Sequence, residues 1–207
     1  MKNSHLMIII LLFLLTGCAT IKNPPADIYT ISPVWKNNEP SGQQQGKTSQ
    51  VIKLAPIKGV RAFSSNQILY SDSHFGLNGY AFSRWSDAPV RLLQTLFQVA
   101  LEENGQFLAV VPPTSASGAD FLLESSLYDF SYHLNDDGTS EGVIRIRFHL
   151  VDVQTKSVLA SKEFSSSVKA SALSVEAAVS ALNNAASNVA QNLVSWLAES
   201  DRLRKVN

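Results

Sequence analysis

Cys18 is the only cysteine in the 207-residue chain, and Leu15-Thr16-Gly17 stand immediately before it. That order matches the bacterial lipobox. In that motif the thiol takes a diacylglycerol, the signal is cut ahead of the cysteine, and the new amino terminus is usually acylated. Each buried methylene contributes about 0.8 kcal/mol and one chain holds only marginally, so firm anchoring takes two or three chains. A lone cysteine forms no internal disulfide, and an exposed free thiol is a liability in an oxidising compartment. Lipidation of Cys18 is therefore expected over a chance thiol. Ala19 follows where an Asp would commonly retain a lipoprotein at the inner membrane, which favours the outer membrane, facing the periplasm.

The other reactive side chains lack a constellation. His5 precedes Cys18, leaving His74, His133 and His149, and no pair has the spacing of a helical metal site. Asp72, Ser73 and His74 are consecutive loop residues, whereas a Ser–His–Asp relay needs convergence in space. His149 reads as a solvated strand residue. Glu102-Glu103 and Asp136-Asp137 fall at a helix end and a turn tip. Phosphate-loop, dinucleotide and nucleophile-elbow patterns do not occur. The expectation is a non-enzyme without a metal or cofactor. Formal net charge is zero, which leaves no electrostatic footprint for nucleic acid.

The elements that must carry Cys18 begin with a signal. Lys2 and the apolar run Leu6 to Leu15 are too short for a bilayer span of roughly 20 residues, and they suit a cleaved secretory signal over residues 1–17; an uncleaved anchor is the alternative. Residues 18–26, "CATIKNPPA", read as a lipidated tether stiffened by Pro24-Pro25. One domain is expected over 27–200, with 201–207 as a tail. Within it, "DIYTISP" (27–33) suggests a strand, and Lys36 to Gln50, without an apolar residue, a loop. Val51 to Val60 is a strand placed at an edge, bulged or broken by Pro56. Shorter strands are expected at Gln67 to Ser71 and Gly79 to Phe82.

A helix follows, capped by Ser86 or Asp87, with Pro89 in its first turn and Gly105 at its left-handed end. Val90, Leu93, Leu96, Phe97, Ala100 and Leu101 form its apolar stripe. Phe107 to Val111 is a strand stopped by Pro112-Pro113. Asp120 to Leu134 and Val143 to Val153 form a hairpin around "NDDGTSEG". Ile144, Ile146, Phe148 and Leu150 face one way; Arg145, Arg147 and His149 face the other. Leu122, Tyr128, Phe130 and Tyr132 are expected to share a face, pairing Tyr132 with Ile144 and placing Asp129 opposite Arg147. Val158 to Val168 extends the meander. Ser174 caps a closing helix with Glu176 in its first turn. Its apolar positions are Val175, Val179, Leu182, Ala186, Val189, Leu193 and Trp196. The helix suits a sheet; a coiled coil with a second chain is the alternative, though charged flanks are missing. The fold class is α+β: one two-layer domain, mostly antiparallel sheet, with two main helices on one face.

One stretch stands apart. "NGYAFSRW" sets Tyr80, Phe82, Arg84 and Trp85 ahead of the first helix, either as core packing with a staple or as a partner-docking surface, where aromatics and Arg concentrate.

The lipobox, the tether, Tyr29-Thr30-Ile31-Ser32-Pro33, "APIKGV", Ile68 to Tyr70 and "FSRW" together resemble the ABC-type transport auxiliary lipoprotein family, over roughly Asp27 to Leu197. The resemblance implies a non-enzymatic lipoprotein, palmitate-bearing at Cys18. Its implied partners are an MCE-domain protein, an ABC permease and an ATPase that move lipids or other hydrophobic molecules between two membranes. It implies attachment to the membrane through the lipid anchor, and leaves self-association open. Two other functions stay open: a pilot lipoprotein escorting an outer-membrane protein, and a lipoprotein holding a small apolar ligand between sheet and helices.

Overall fold

Two long antiparallel ladders organise the computed structural model, which describes residues 25–32, 48–74 and 76–199. Cys18, the signal, most of the tether, most of the Lys36–Gln50 loop and the 201–207 tail lie outside the described residues. In chain order the elements are β1 (Asp27–Tyr29), β2 (Val51–Leu54), β3 (Lys58–Gly59), a 3-10 turn (Arg61–Ser64), β4 (Gln67–Ser71) and β5 (Leu77–Trp85). Then come α1 (Pro89–Asn104), β6 (Ala109–Val111), β7 (Phe121–Leu134), β8 (Ser140–Asp152), β9 (Val158–Lys169) and α2 (Val175–Ala198).

β7 is the spine. One edge pairs with β8 along its whole length, and β9 continues that meander. Along the other edge β2, β3 and β4 line up end to end, each parallel to β7. β6 lies outside β2, β5 outside β4, and β1 outside β5. The α+β expectation holds, with the long ladders antiparallel and the short N-terminal strands mostly parallel. Pro56 acts as a break rather than an edge: β2 ends at Leu54, flanked by β6 and β7. Beyond the gap Ile57 N donates to Gln94 Oε1 on α1 at 3.1 Å.

The expected facing of β8 is observed. Ile144, Ile146, Phe148 and Leu150 are buried, and both helices cover that side. Phe97 of α1 meets Phe148 edge-on at 5.3 Å, Phe148 meets Phe164, and Phe164 meets Trp196 of α2. On the opposite face Arg147 Nη2 donates to Glu163 at 2.8 Å and Arg145 lies 5.3 Å over the Tyr128 ring. These are solvent-exposed contacts, worth at most about 1 kcal/mol each.

The hairpin register differs from expectation. Phe130 pairs with Ile144, Tyr132 with Gly142, and Asp129 with Arg145 rather than Arg147. A bulge at Tyr128 separates that ladder from the one that pairs Leu127 with Ile146. One extra residue reverses strand parity, so Phe121, Leu123 and Leu127 face the core with Phe130 and Tyr132. Leu122 faces outward with Glu124 and Ser126, and Tyr128 is exposed. The polar interruptions on the expected face are thus residues of the other face.

Helix ends follow local chemistry, with one correction. α1 is preceded by Ala88, without a side-chain cap, rather than by Ser86 or Asp87. The Asp87 carboxylate instead accepts from Ala88 N at 2.7 Å and pairs with Arg91 one turn on. Pro89 opens the helix, where its missing N–H costs nothing, and Gly105 closes it at φ 68°. Ser174 Oγ accepts from Ala177 N at the start of α2, as expected. Val175, Val179 and Trp196 are only half-buried, while Ala177, Ala178, Ala181, Ala185 and Ala190 complete the buried face. Alanine lets α2 lie close on the sheet, and at Gly142 of β8 a Cβ would stand 2.5 Å from Leu182 N.

Candidate functional site

β5 runs straight through the "NGYAFSRW" stretch and is interrupted halfway. Leu69 of β4 pairs with Gly79, yet Gln67 pairs with Arg84. Four β5 residues therefore stand against one β4 residue, and Tyr80 to Ser83 arch away from the ladder. Arg84 holds the arch: its Nη1 donates to Tyr80 O at 2.7 Å and to Ser83 O at 3.2 Å. Nη1 of the guanidinium is thus occupied by its own strand.

The four aromatic-and-Arg residues end in different surroundings. Trp85 is 1% exposed and packs against Phe130 with ring centroids 5.7 Å apart. Phe82, at the crest, is 53% exposed. Tyr80 turns inward against Tyr70, centroids 5.1 Å apart. Burial pushes the Tyr80 phenol up to about 12, helped by Tyr132, Tyr70 and Glu176. The sequence placed all four together; the structure leaves Phe82 as the large apolar side chain offered to solvent.

Tyr80 also walls an open cleft of about 410 Å³ at this end of the sheet. Tyr70 of β4, Gly79 and Ala81 of β5, Tyr132 and Leu134 of β7, and Leu173 of the β9–α2 connection line the remainder. The Tyr132 hydroxyl is held away from the opening by Ser140 Oγ at 2.6 Å and by Ala172 O at 2.9 Å. Leu173, at the lip, is 65% exposed. Sequence reasoning missed this cleft because its walls come from four separate elements.

The start of the described chain is pinned beside it. β1 pairs parallel with β5 from Asp27–Ser83 to Tyr29–Trp85. Asn183 of α2 then clamps the following backbone, its Oδ1 accepting from Ser32 N at 2.8 Å and its Nδ2 donating to Thr30 O at 3.2 Å. Tyr29 Oη reaches Glu176 at 3.4 Å. The Glu176 carboxylate sits in the first turn of α2, where its own backbone N–H and Ser174 hold it below the usual range.

Two histidine clusters show polar contacts without a relay. Asp72 Oδ1 accepts from the backbone N of His74 and Gly76, both at 2.9 Å, so it shapes the turn rather than orienting the ring. His133 is different. Its Nε2 lies 2.9 Å from Asp129 Oδ2 and 3.2 Å from Ser131 Oγ, while Ser131 Oγ donates to Asp129 Oδ1 at 2.6 Å. Hydroxyl and carboxylate converge on one ring nitrogen, which is an ion-pair geometry. The bond to Asp129 raises the His133 pKa, against desolvation and with a further contribution from Glu141 across the ladder.

A histidine raised on folding stabilises the native state fully below its unfolded value of about 6.5, and that contribution is lost as pH climbs through the folded value. The thermal midpoint of the wild type is therefore expected to fall between pH 6 and 8 relative to His133→Gln, measured by circular dichroism. Parallel curves would contradict the pairing.

Among the described residues no group of three or more His, Cys, Asp or Glu could hold a metal ion. No described helix is long and apolar enough to cross a membrane. The geometry joins a mixed sheet backed by two helices, an apolar cleft, and an exposed aromatic on an arch. The chain belongs to the family of ABC-type transport auxiliary lipoprotein components, whose model matches residues 29–194. No curated protein matches it. In fold it is similar to protein XCC0632 from Xanthomonas campestris, at 19% identity and a TM-score of 0.72 over 88% of this chain and 98% of that one. It is also similar to protein CT253 from Chlamydia trachomatis, at 10% identity and a TM-score of 0.55 over 74% and 98%. At these identities the likeness speaks to fold.

Proposed function

We propose that the protein is a lipid-anchored, non-catalytic component of an ABC/MCE-type system carrying lipids or other hydrophobic molecules between two membranes. Acyl chains on Cys18 hold it to the periplasmic face of the outer membrane, and the folded domain docks the periplasmic MCE partner there. The observation that carries this reading is the family match over residues 29–194, with a lipobox cysteine and Ala19 upstream of it. Nothing in the mechanism calls for bond chemistry. The anchor restricts the domain to a shell near the bilayer, and the domain converts that restriction into a fixed position for its partner.

Crosslinking in intact cells followed by affinity isolation of the full chain tests it. MCE, permease and ATPase subunits are expected; recovery of a β-barrel or secretin instead would favour the pilot role and reject this one. Phe82 is the docking residue we place on the surface. Phe82→Ser removes a half-exposed ring, so stability is expected to change by no more than about 0.5 kcal/mol. An interface anchor is worth about 2 kcal/mol or more, so partner recovery should fall roughly thirtyfold. Undiminished recovery with Phe82→Ser would remove Phe82 from the interface.

A further inference from the structure

We infer that the cleft between the β5 arch and the β9–α2 connection seats one acyl chain of a membrane phospholipid. The inference rests on the membrane-anchored reading above and adds to it a direct contact between the folded domain and lipid.

The walls select for hydrocarbon. Tyr70, Tyr80 and Tyr132 present rings, Leu134, Ala81 and Leu173 present aliphatic groups, and Gly79 adds backbone alone. None of the seven carries a charge. The Tyr132 hydroxyl is engaged with Ser140 and Ala172, and Tyr80 is harder to ionise than a free phenol. A ligand gains contact area here and little else, which suits a linear chain whose polar end stays in solvent. At about 410 Å³ the cleft lies within the range of small-molecule sites, roughly 300–1,000 Å³. Its lip exposes Leu173 in a connection that could have carried a polar side chain.

The occupant follows from where the chain enters the fold. β1 begins at Asp27, opposite Ser83. Ser83 is two residues from the cleft wall at Ala81, at most about 7 Å along a strand. Cys18 lies nine residues before Asp27 in the sequence, a span of at most about 32 Å when extended. An anchored domain therefore holds this opening within a tether's length of the bilayer. Phospholipid is the acyl source there in greatest supply, and the Leu173 lip offers the first apolar contact.

The full-length lipidated protein, in vesicles of phosphatidylethanolamine and phosphatidylglycerol doped with a phosphatidylcholine bearing a diazirine in one acyl chain, tests this by photolabelling and peptide mapping. Label is expected on peptides carrying Tyr70, Tyr80, Tyr132 and Leu173. Ala81→Trp, which fills the cleft, and Leu173→Asp, which charges its lip, should each cut that label at least tenfold with thermal midpoints near the wild-type value. Leu173 is exposed, so its variant folds even if Ala81→Trp does not. Label confined to residues 19–24, or label in the cleft unchanged by Leu173→Asp, would overturn the inference. So would cleft labelling seen only when a photoreactive fatty acid is incorporated at Cys18, which would make the occupant the protein's own anchor. Labelling is read whether or not Cys18 is acylated. Retained anchoring and partner recovery with an unlabelled cleft would reject the lipid site alone, whereas an unmodified Cys18 would reject the anchored reading alone.

Discussion

Gly142→Ala is expected to destabilise the domain by about 3 kcal/mol, the top of the usual range for overpacked sites. The added Cβ would stand 2.5 Å from Leu182 N and 2.6 Å from Ala181 C, both in the backbone of α2. Backbone cannot rotate aside as a side chain can. Either α2 lifts from the sheet, parting Ala178, Ala181 and Ala185 from their contacts, or β8 bends away from its ladders to Tyr132 and Val168. For a domain of this size the loss corresponds to a fall in thermal midpoint of roughly 6–12 °C. Gly118→Ala is the internal control: its Cβ meets nothing within 4 Å and its φ is ordinary. There the reduced freedom of the unfolded chain is the main effect, worth about 0.4–1 kcal/mol of stabilisation. Opposite signs at the two glycines, measured by urea unfolding, are the expected result; a neutral Gly142→Ala would mean that α2 does not pack so closely.

Gly142 also shows what was and was not legible in the chain. It reads as the last residue of a polar turn, because "NDDGTSEG" contains no apolar residue. The turn occupies only its first part: Asn135 N donates to Thr139 O, Gly138 takes φ 78°, and β8 begins at Ser140. Ser140 and Gly142 then continue the inward face of Ile144 and Ile146 with small side chains. Those small side chains make room for α2 and for the Tyr132 hydroxyl, so a hydrophobicity pattern passes over them. The same blindness produced the register error at Tyr128. A bulge adds one residue and switches the buried parity from Phe121, Leu123 and Leu127 to Phe130 and Tyr132, and reading a single parity through it misassigns every residue on one side.

Local signals carried further. Pro89, Gly105 and Ser174 mark helix ends through their own backbone chemistry, and the uninterrupted alternation of β8 fixed its faces. The parallel seating of β2, β3 and β4 along β7 depends on hydrogen bonds between segments dozens of residues apart, which no local pattern encodes. The candidate site divides along the same line. Trp85 and Phe82 are three residues apart on one strand, so alternation alone sets one in the core and the other at the surface, whereas Tyr80 and Phe82 share a parity and are parted only by the β5 arch, which its mismatch with β4 creates.

Cys18→Ser is expected to abolish palmitate labelling entirely. Serine keeps the size of the side chain and loses the sulfur nucleophile on which the diacylglycerol transfer depends, so the unmodified precursor would keep residues 1–17. Wild-type protein labelled in growing cells should carry palmitate, lack residues 1–17 by mass, and stay with the outer membrane through a high-salt wash, because burial of hydrocarbon is not screened by salt. The retained Leu6–Leu15 run could still hold Cys18→Ser to a bilayer, so fractionation alone does not decide the matter; label and mass do. The arithmetic is steep. One acyl chain gives a membrane affinity of only about 10⁴ M⁻¹, and stable residence takes a second signal. No described helix is long and apolar enough to cross a membrane, and in the proposed arrangement the chains at Cys18 carry the anchoring. An unlabelled wild type, or one beginning at Met1, would detach the domain from its proposed place. A labelled Cys18→Ser would move the acylation to another residue and leave the tether geometry without its starting point.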